Sequence, residues 1–149
     1  MTAGSSYLAA LGRLLIAVIF IVSGVGKILA PAMTQGYIAA AGLPSPLAAY
    51  LIAIAVELGG GTLLILGFQT KFVAIALAIF SVATAVGFHH DFANQDQLIH
   101  FLKNLSMAGG LLQVAAFGPG TLSIDARRTL PPAMSPARLV RGPTAGGET

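Results

Sequence analysis

The sequence predicts an all-α, polytopic membrane protein: a bundle of four transmembrane helices with both termini in the cytoplasm. Three observations carry that reading. Charged residues make up 9% of the chain against 56% hydrophobic ones, where a soluble domain carries roughly 25% charged residues. Four apolar stretches, at residues 8–29, 47–66, 72–88 and 98–117, are each close to the roughly 20 residues that a helix needs to cross a bilayer. Prolines, glycines and polar residues stand between them in short groups, the punctuation that ends helices. The 149 residues allow one such domain, and the absence of cysteine excludes disulfides and thiol chemistry from this chain.

The elements follow in order. Stretch 8–29 contains thirteen Leu, Ile, Val and Phe residues. At roughly −0.3 to −0.6 kcal/mol each, they outweigh Arg13 and Lys27, two cations near its ends that cost no more than about 3 kcal/mol apiece. A signal-peptide reading is disfavoured, because no Lys or Arg precedes the apolar run and the run is longer than a signal core. Pro31, Gly42, Pro44 and Pro46 then break the chain, and Pro46 suits the first turn of the next helix. Stretch 47–66 sets ten large aliphatics against one charge, Glu57. Residues 67–71 form a tight connection, so the second and third spans should be antiparallel neighbours.

Stretch 72–88 carries no formal charge. A polar loop at 89–97 leads to stretch 98–117, which holds His100, Lys103 and Asn104 in its first third and stops at Gly118-Pro119-Gly120. Residues 1–128 thus form the transmembrane domain. The tail at 129–149 is too rich in Pro and Gly to pack a core and is expected to be disordered. Lys71, Arg127, Arg128, Arg138 and Arg141 fall on one side of a four-span chain, while 30–46 and 89–97 contain no Lys or Arg. The positive-inside rule therefore places both termini in the cytoplasm. Membrane lipid is the expected surrounding, and the basic tail suits anionic lipid. No basic face with aromatic or motif support points to nucleic acid.

Polar groups at membrane depth are functional-site candidates by default, with structural pairing as the competing explanation. Glu57 is the first of them. It lies ten residues past Leu47, about 15 Å along a helix and so near the midplane. The Gly59-Gly60-Gly61 run beside it lets a neighbouring backbone or a ligand come close. Arg13 and Lys27, fourteen residues apart, share a stripe of the first helix. Each is long enough to snorkel to its nearer interface. Arg13 reaching Glu57 would need helix tilt or a bridging water. Lys27, His89, His90, His100, Lys103 and Asn104 should gather near one surface as a second cluster. Its spacing matches no metal motif, and adjacent histidines diverge by about 100° on a helix, which disfavours haem ligation.

The residues resemble the DoxX family of four-helix membrane proteins across residues 11–127. The features are R-L-L-I-A-V-I-F-I-V-S-G-V-G-K-I with Arg13, Ser23, Gly24 and Lys27; G-L-P before the second span; E-L-G-G-G at Glu57; and the G-F-Q-T-K turn. A His at the end of span three, Lys103, and a closing G-P-G-T-L-S-I-D complete the match. The resemblance implies a redox-associated subunit of the bacterial inner membrane that faces quinone. Relatives include a subunit linked to a terminal quinol oxidase and to sulfur-compound oxidation. The residues themselves show no nucleotide fingerprint or metal-ligand set, so a quinone or a redox partner protein would have to supply that chemistry. On this reading Glu57 and Arg13 are the catalytic candidates, and Ser23, Lys27, Gly60, His89, His90, Lys103 and Asn104 the ligand-binding ones. Two other classes compete: a non-catalytic scaffold that binds a partner, and a carrier of protons or small solutes titrating at Glu57.

Overall fold

The computed structural model describes residues 3–129, and within them the chain is helical with no strand. The expected disordered tail lies outside the described residues. Helix α1 is Ala3–Leu29, α2 is Pro31–Ala40 and α3 is Pro46–Ile54. A π-helical segment, Ala55–Gly60, joins α3 to α4, Gly61–Leu66. Then come α5, Thr70–Phe88, α6, Gln95–Phe117, and the short α7, Ile124–Thr129. Three stretches are long and apolar enough to cross a membrane: Gly4–Leu29, Pro46–Leu66 and Thr70–Phe88. Helix α6 has 23 residues, about 34 Å of rise, but His100, Lys103, Asn104 and Gln113 make it less apolar.

Segment 30–46 departs from the expected bare connection, because it holds α2. Pro31 ends α1 but also occupies the first turn of α2, where the missing N–H has no helical partner to lose. Tyr37 of α2 stacks on Phe88 of α5 with ring centroids 5.3 Å apart, and Ile38 is buried. Gly42, at a φ of 74°, then turns the chain towards Pro46, again a first-turn proline.

The α4–α5 turn ends α4 with a Schellman pattern. Phe68 N–H donates to Leu63 O and Gly67 N–H to Leu64 O, with Gly67 in the left-handed region at φ 65°. A Cβ at Gly67 would also collide with the Arg13 guanidinium and with Ser123. Glycine is therefore required there on two grounds.

The long helices pack in sequence. Helix α1 lies against the α3–π–α4 rod, the rod against α5, and α5 along α6. Ala17 and Phe20 of α1, Leu64 of α4, Ala74 and Leu77 of α5, and Ala108 and Leu111 of α6 form the core. Small residues set the spacing: a Cβ on Gly24 would lie 2.8 Å from Leu58, and one on Gly60 2.8 Å from Leu77. Adding either methyl would force the facing leucine, or its helix, to shift.

Candidate functional site

Ser23 and Lys27 lie one turn apart on the same face of α1, and both turn to Glu57. The Lys27 ammonium donates to Glu57 Oε1 at 2.8 Å and to Ser23 Oγ at 2.7 Å. The Ser23 hydroxyl donates to the same Oε1 at 3.1 Å. Glu57 Oε2 is buried and, among the described residues, has no hydrogen-bond partner. The Glu57 side chain is 6% exposed and that of Lys27 23%, so the ammonium is the accessible half of the pair.

The π segment is what delivers the carboxylate. An i→i+5 turn carries an extra residue and rotates the side chains that follow; such bulges recur at functional sites. Here the bulge spans Glu57 itself, and the bare face of Gly24 leaves α1 close enough that a methyl there would touch the Glu57 Cβ at 3.3 Å. The two helices are offset along their axes: Glu57 lies eleven residues past Pro46, the start of α3, but level with Gly24, five residues before the end of α1. Tyr50, a residue the sequence did not single out, sends its hydroxyl to Lys27 O at 3.3 Å. An aromatic about two helical turns before the acid, on the same face, was the available signal.

Arg13 does not join this cluster. It is 1% exposed, and Nη1 donates to Leu64 O at 3.0 Å and Ile65 O at 3.2 Å, while Nη2 donates to Leu122 O at 2.6 Å. The expected reach to Glu57 is therefore replaced by a different job. A cation is set at the carbonyl end of α4, where it serves Ile65 O and adds a second donor to Leu64 O, which already accepts from Gly67 N–H. Around it the segment after α6 folds back. Thr121 donates to Ser6 Oγ at 2.7 Å, and Asp125 N–H donates to Gly67 O at 2.9 Å.

Asp125 takes N–H bonds from Gln69 at 2.9 Å and Thr70 at 2.8 Å, and the Thr70 hydroxyl donates to it at 2.7 Å. Partial burial works against its ionisation, but the Thr70 and Gln69 hydrogen bonds and the Arg128 charge outweigh that and hold its pKa below the ordinary carboxylate value. Asp125 thereby supplies the N-terminal cap that α5 lacks from its own sequence.

The expected second cluster does not hold together: Lys27 goes to Glu57, and the other members part four ways. His89 Nδ1 lies 2.8 Å from Gln97 Oε1, and its ring stacks on His100 at 5.0 Å. Asn104 faces α5, where the Thr84 hydroxyl donates to its Oδ1 at 3.3 Å. His90 borders a rim cleft of about 290 Å³ with Tyr37, Asp91, Asn94 and Gln97. Lys103 turns away from all of these, into a groove between α1 and α6. A step of 100° per residue explains the split: Lys103 and Asn104 are sequence neighbours on different faces. Gly60 packs on Leu77 and is part of the helix spacing.

Large apolar side chains face outward while two charged ones, Arg13 and Glu57, are inside. Val22 and Ile79 are 65% exposed, whereas Arg13 and Glu57 are 1% and 5% exposed. That inversion, with helices of span length, defines an integral membrane protein built as a helical bundle. The sequence model of the DoxX family matches residues 8–90. Inner membrane protein YqjF of Escherichia coli strain K12 is 41% identical over 113 residues, covering 76% of this chain and 85% of the relative. Inner membrane protein YphA of the same strain is 35% identical over 122 residues, covering 78% and 87%. The chain belongs to the DoxX family and is a multi-pass protein of the bacterial inner membrane. No solved structure matches it.

Proposed function

We propose that this protein is a redox-associated membrane subunit that meets quinone at the Lys27–Glu57–Ser23 cluster. The observation that carries the reading is the half-satisfied carboxylate. One oxygen of Glu57 takes two donors and the other, buried, takes none among the described residues. A buried acceptor left open costs roughly 1–3 kcal/mol or more, and such a cost is retained where the group has work to do. The donor set fits a quinone. The part-exposed Lys27 ammonium is a donor for a carbonyl oxygen, and Glu57 is a proton carrier beside it. Bound quinone would supply the electron-accepting chemistry, with electrons arriving from a partner protein. Lys27 would orient the headgroup, and Glu57 would pass protons along the Ser23–Lys27 contacts.

The reading also takes α6 as a fourth span, with both termini cytoplasmic. Lys71, Arg127 and Arg128 share one end of the bundle because Asp125 ties α7 to the start of α5.

Glu57→Gln tests the site. It keeps the shape and most of the hydrogen bonding and removes the titratable proton. Quinone-linked turnover in membranes that retain the native partner should fall at least tenfold or change its pH profile, while thermal stability in mild detergent stays close to wild type. Full turnover across the pH range in a folded Gln variant would leave Glu57 as structural glue. Mass spectrometry of the purified protein should detect co-purifying quinone, and less of it in Lys27→Met.

A further inference from the structure

We propose that the groove between α1 and α6 binds an anionic phospholipid, with the lipid phosphate on Lys103 and an acyl chain along the aliphatic walls. Helix α6 turns Asn104, Ala108 and Leu111 towards the rest of the bundle, which leaves the face bearing Lys103 to look outward. It meets α1 closely at Gly110, where an added Cβ would lie 3.2 Å from Ile16. Beside that contact opens a groove of about 580 Å³, walled by Ile16 and Ile19 of α1 and by Ile99, Leu102 and Met107 of α6.

Among the described residues, Lys103 is the one charged residue lining the groove. It is exposed. The salt bridge formed among the described residues joins Lys27 to Glu57 and leaves Lys103 without an acid. The other polar lining group, Ser106, donates its hydroxyl to Leu102 O at 2.9 Å, so an anion would be recognised by the ammonium. An unpaired cation on the lipid side of a membrane helix is costly unless an anion meets it.

The two halves of the site are arranged along the helix. Lys103 lies seven residues before Gly110, about 10 Å nearer the 89–94 loop. Ile16, Ile19 and Met107 continue from it towards the opposite end. A head on Lys103 and a tail on those walls is the order an amphiphile requires. Free phosphate would gain nothing from the walls, and a lipid without net charge little from the cation. Basic pockets between transmembrane helices bind anionic headgroups by the same means. The site rests on the reading of α6 as a span, but it is separate from the Glu57 cluster and stands whether or not that cluster handles quinone.

The test uses the full chain in mild detergent, with lipid binding read by native mass spectrometry. The probes are phosphatidylglycerol, phosphatidylcholine and inorganic phosphate, and the variants Lys103→Gln and Ile19→Trp. Wild type should retain phosphatidylglycerol over phosphatidylcholine by about fivefold or more. Lys103→Gln, an exposed position that should not disturb folding, should bind the two lipids alike. Ile19→Trp, filling the groove, should weaken both lipids while thermal unfolding shows it folded. Wild type that binds both lipids equally, or a Gln variant that keeps the preference, would overturn the proposal. So would competition by inorganic phosphate as strong as that of the lipid, which would mark a free-anion site.

Discussion

Arg13 shows how a charged side chain in an apolar helix becomes structural. Its planar fork serves carbonyls on two sides at once, Leu64 and Ile65 on one and Leu122 on the other. A lysine has one nitrogen on a flexible stem and cannot span both. Arg13→Lys should therefore lower stability by about 1–3 kcal/mol, measured by thermal unfolding in detergent. It should also expose the 118–123 segment to limited proteolysis. An Arg13→Lys protein as stable and as protease-resistant as wild type would mean that these bonds contribute nothing. Lys27 behaves differently. Its partner is an acid rather than a helix end, and the pair is buried on one side only. Removing the lysine leaves Glu57 uncompensated, so Lys27→Met is expected to be less stable than Glu57→Gln.

Among the elements, α5 is the one whose start is completed from elsewhere. No side chain at Gln69 caps it, and Asp125 of α7 fills that place from 55 residues away. The sign of the pH effect follows from the depressed pKa of Asp125. Its contribution is fully present above the ordinary carboxylate pKa and is lost as pH falls through the lower, folded-state value. Asp125→Asn should cost about 0.5–2 kcal/mol near neutral pH. The gap between variant and wild type should then narrow as the solution is acidified below the ordinary carboxylate pKa and through the lower folded-state one. Thermal unfolding as a function of pH reads both. A gap that stays constant into acid would mean that the carboxylate charge is not what holds α7 to α5. The π segment is the other element with consequences, because it sets which way Glu57 points.

For the whole molecule, the helical order and the gathering of cations at one end lead to a topology that reporter fusions can check. A cytoplasm-active reporter fused at the C-terminus should be active, and a periplasm-active one placed in the 89–94 loop should be active as well. A C-terminal fusion active only in the periplasm would remove α6 as a span or invert the bundle. The architecture is uneven around its circumference. Helices α5 and α6 lie together along their length, whereas α6 touches α1 at few points. The open seam is where Lys103 lies.

Composition and the length of the apolar runs determined that this chain is a helical membrane protein, because partitioning into lipid sums over about 20 neighbouring residues and needs no long-range contact. The intramembrane polar residues were legible for the same reason, since Arg13, Lys27 and Glu57 each stand out in an apolar run. What each of them does was decided by tertiary structure. Lys27 and Glu57 meet because α3 and α1 are offset along their axes and a π turn rotates the carboxylate. Arg13 is taken up by backbone carbonyls 51 to 109 residues away, and a carbonyl is common to every residue and leaves no mark in the sequence. The helix inside segment 30–46 escaped for a local reason, since Pro31 reads equally well as the end of one helix and the start of another. Lys103 and Asn104 parted because helix rotation sends adjacent residues to different faces. Only the packing of α6 on α5 decided which of the two faces the bundle and which faces outward.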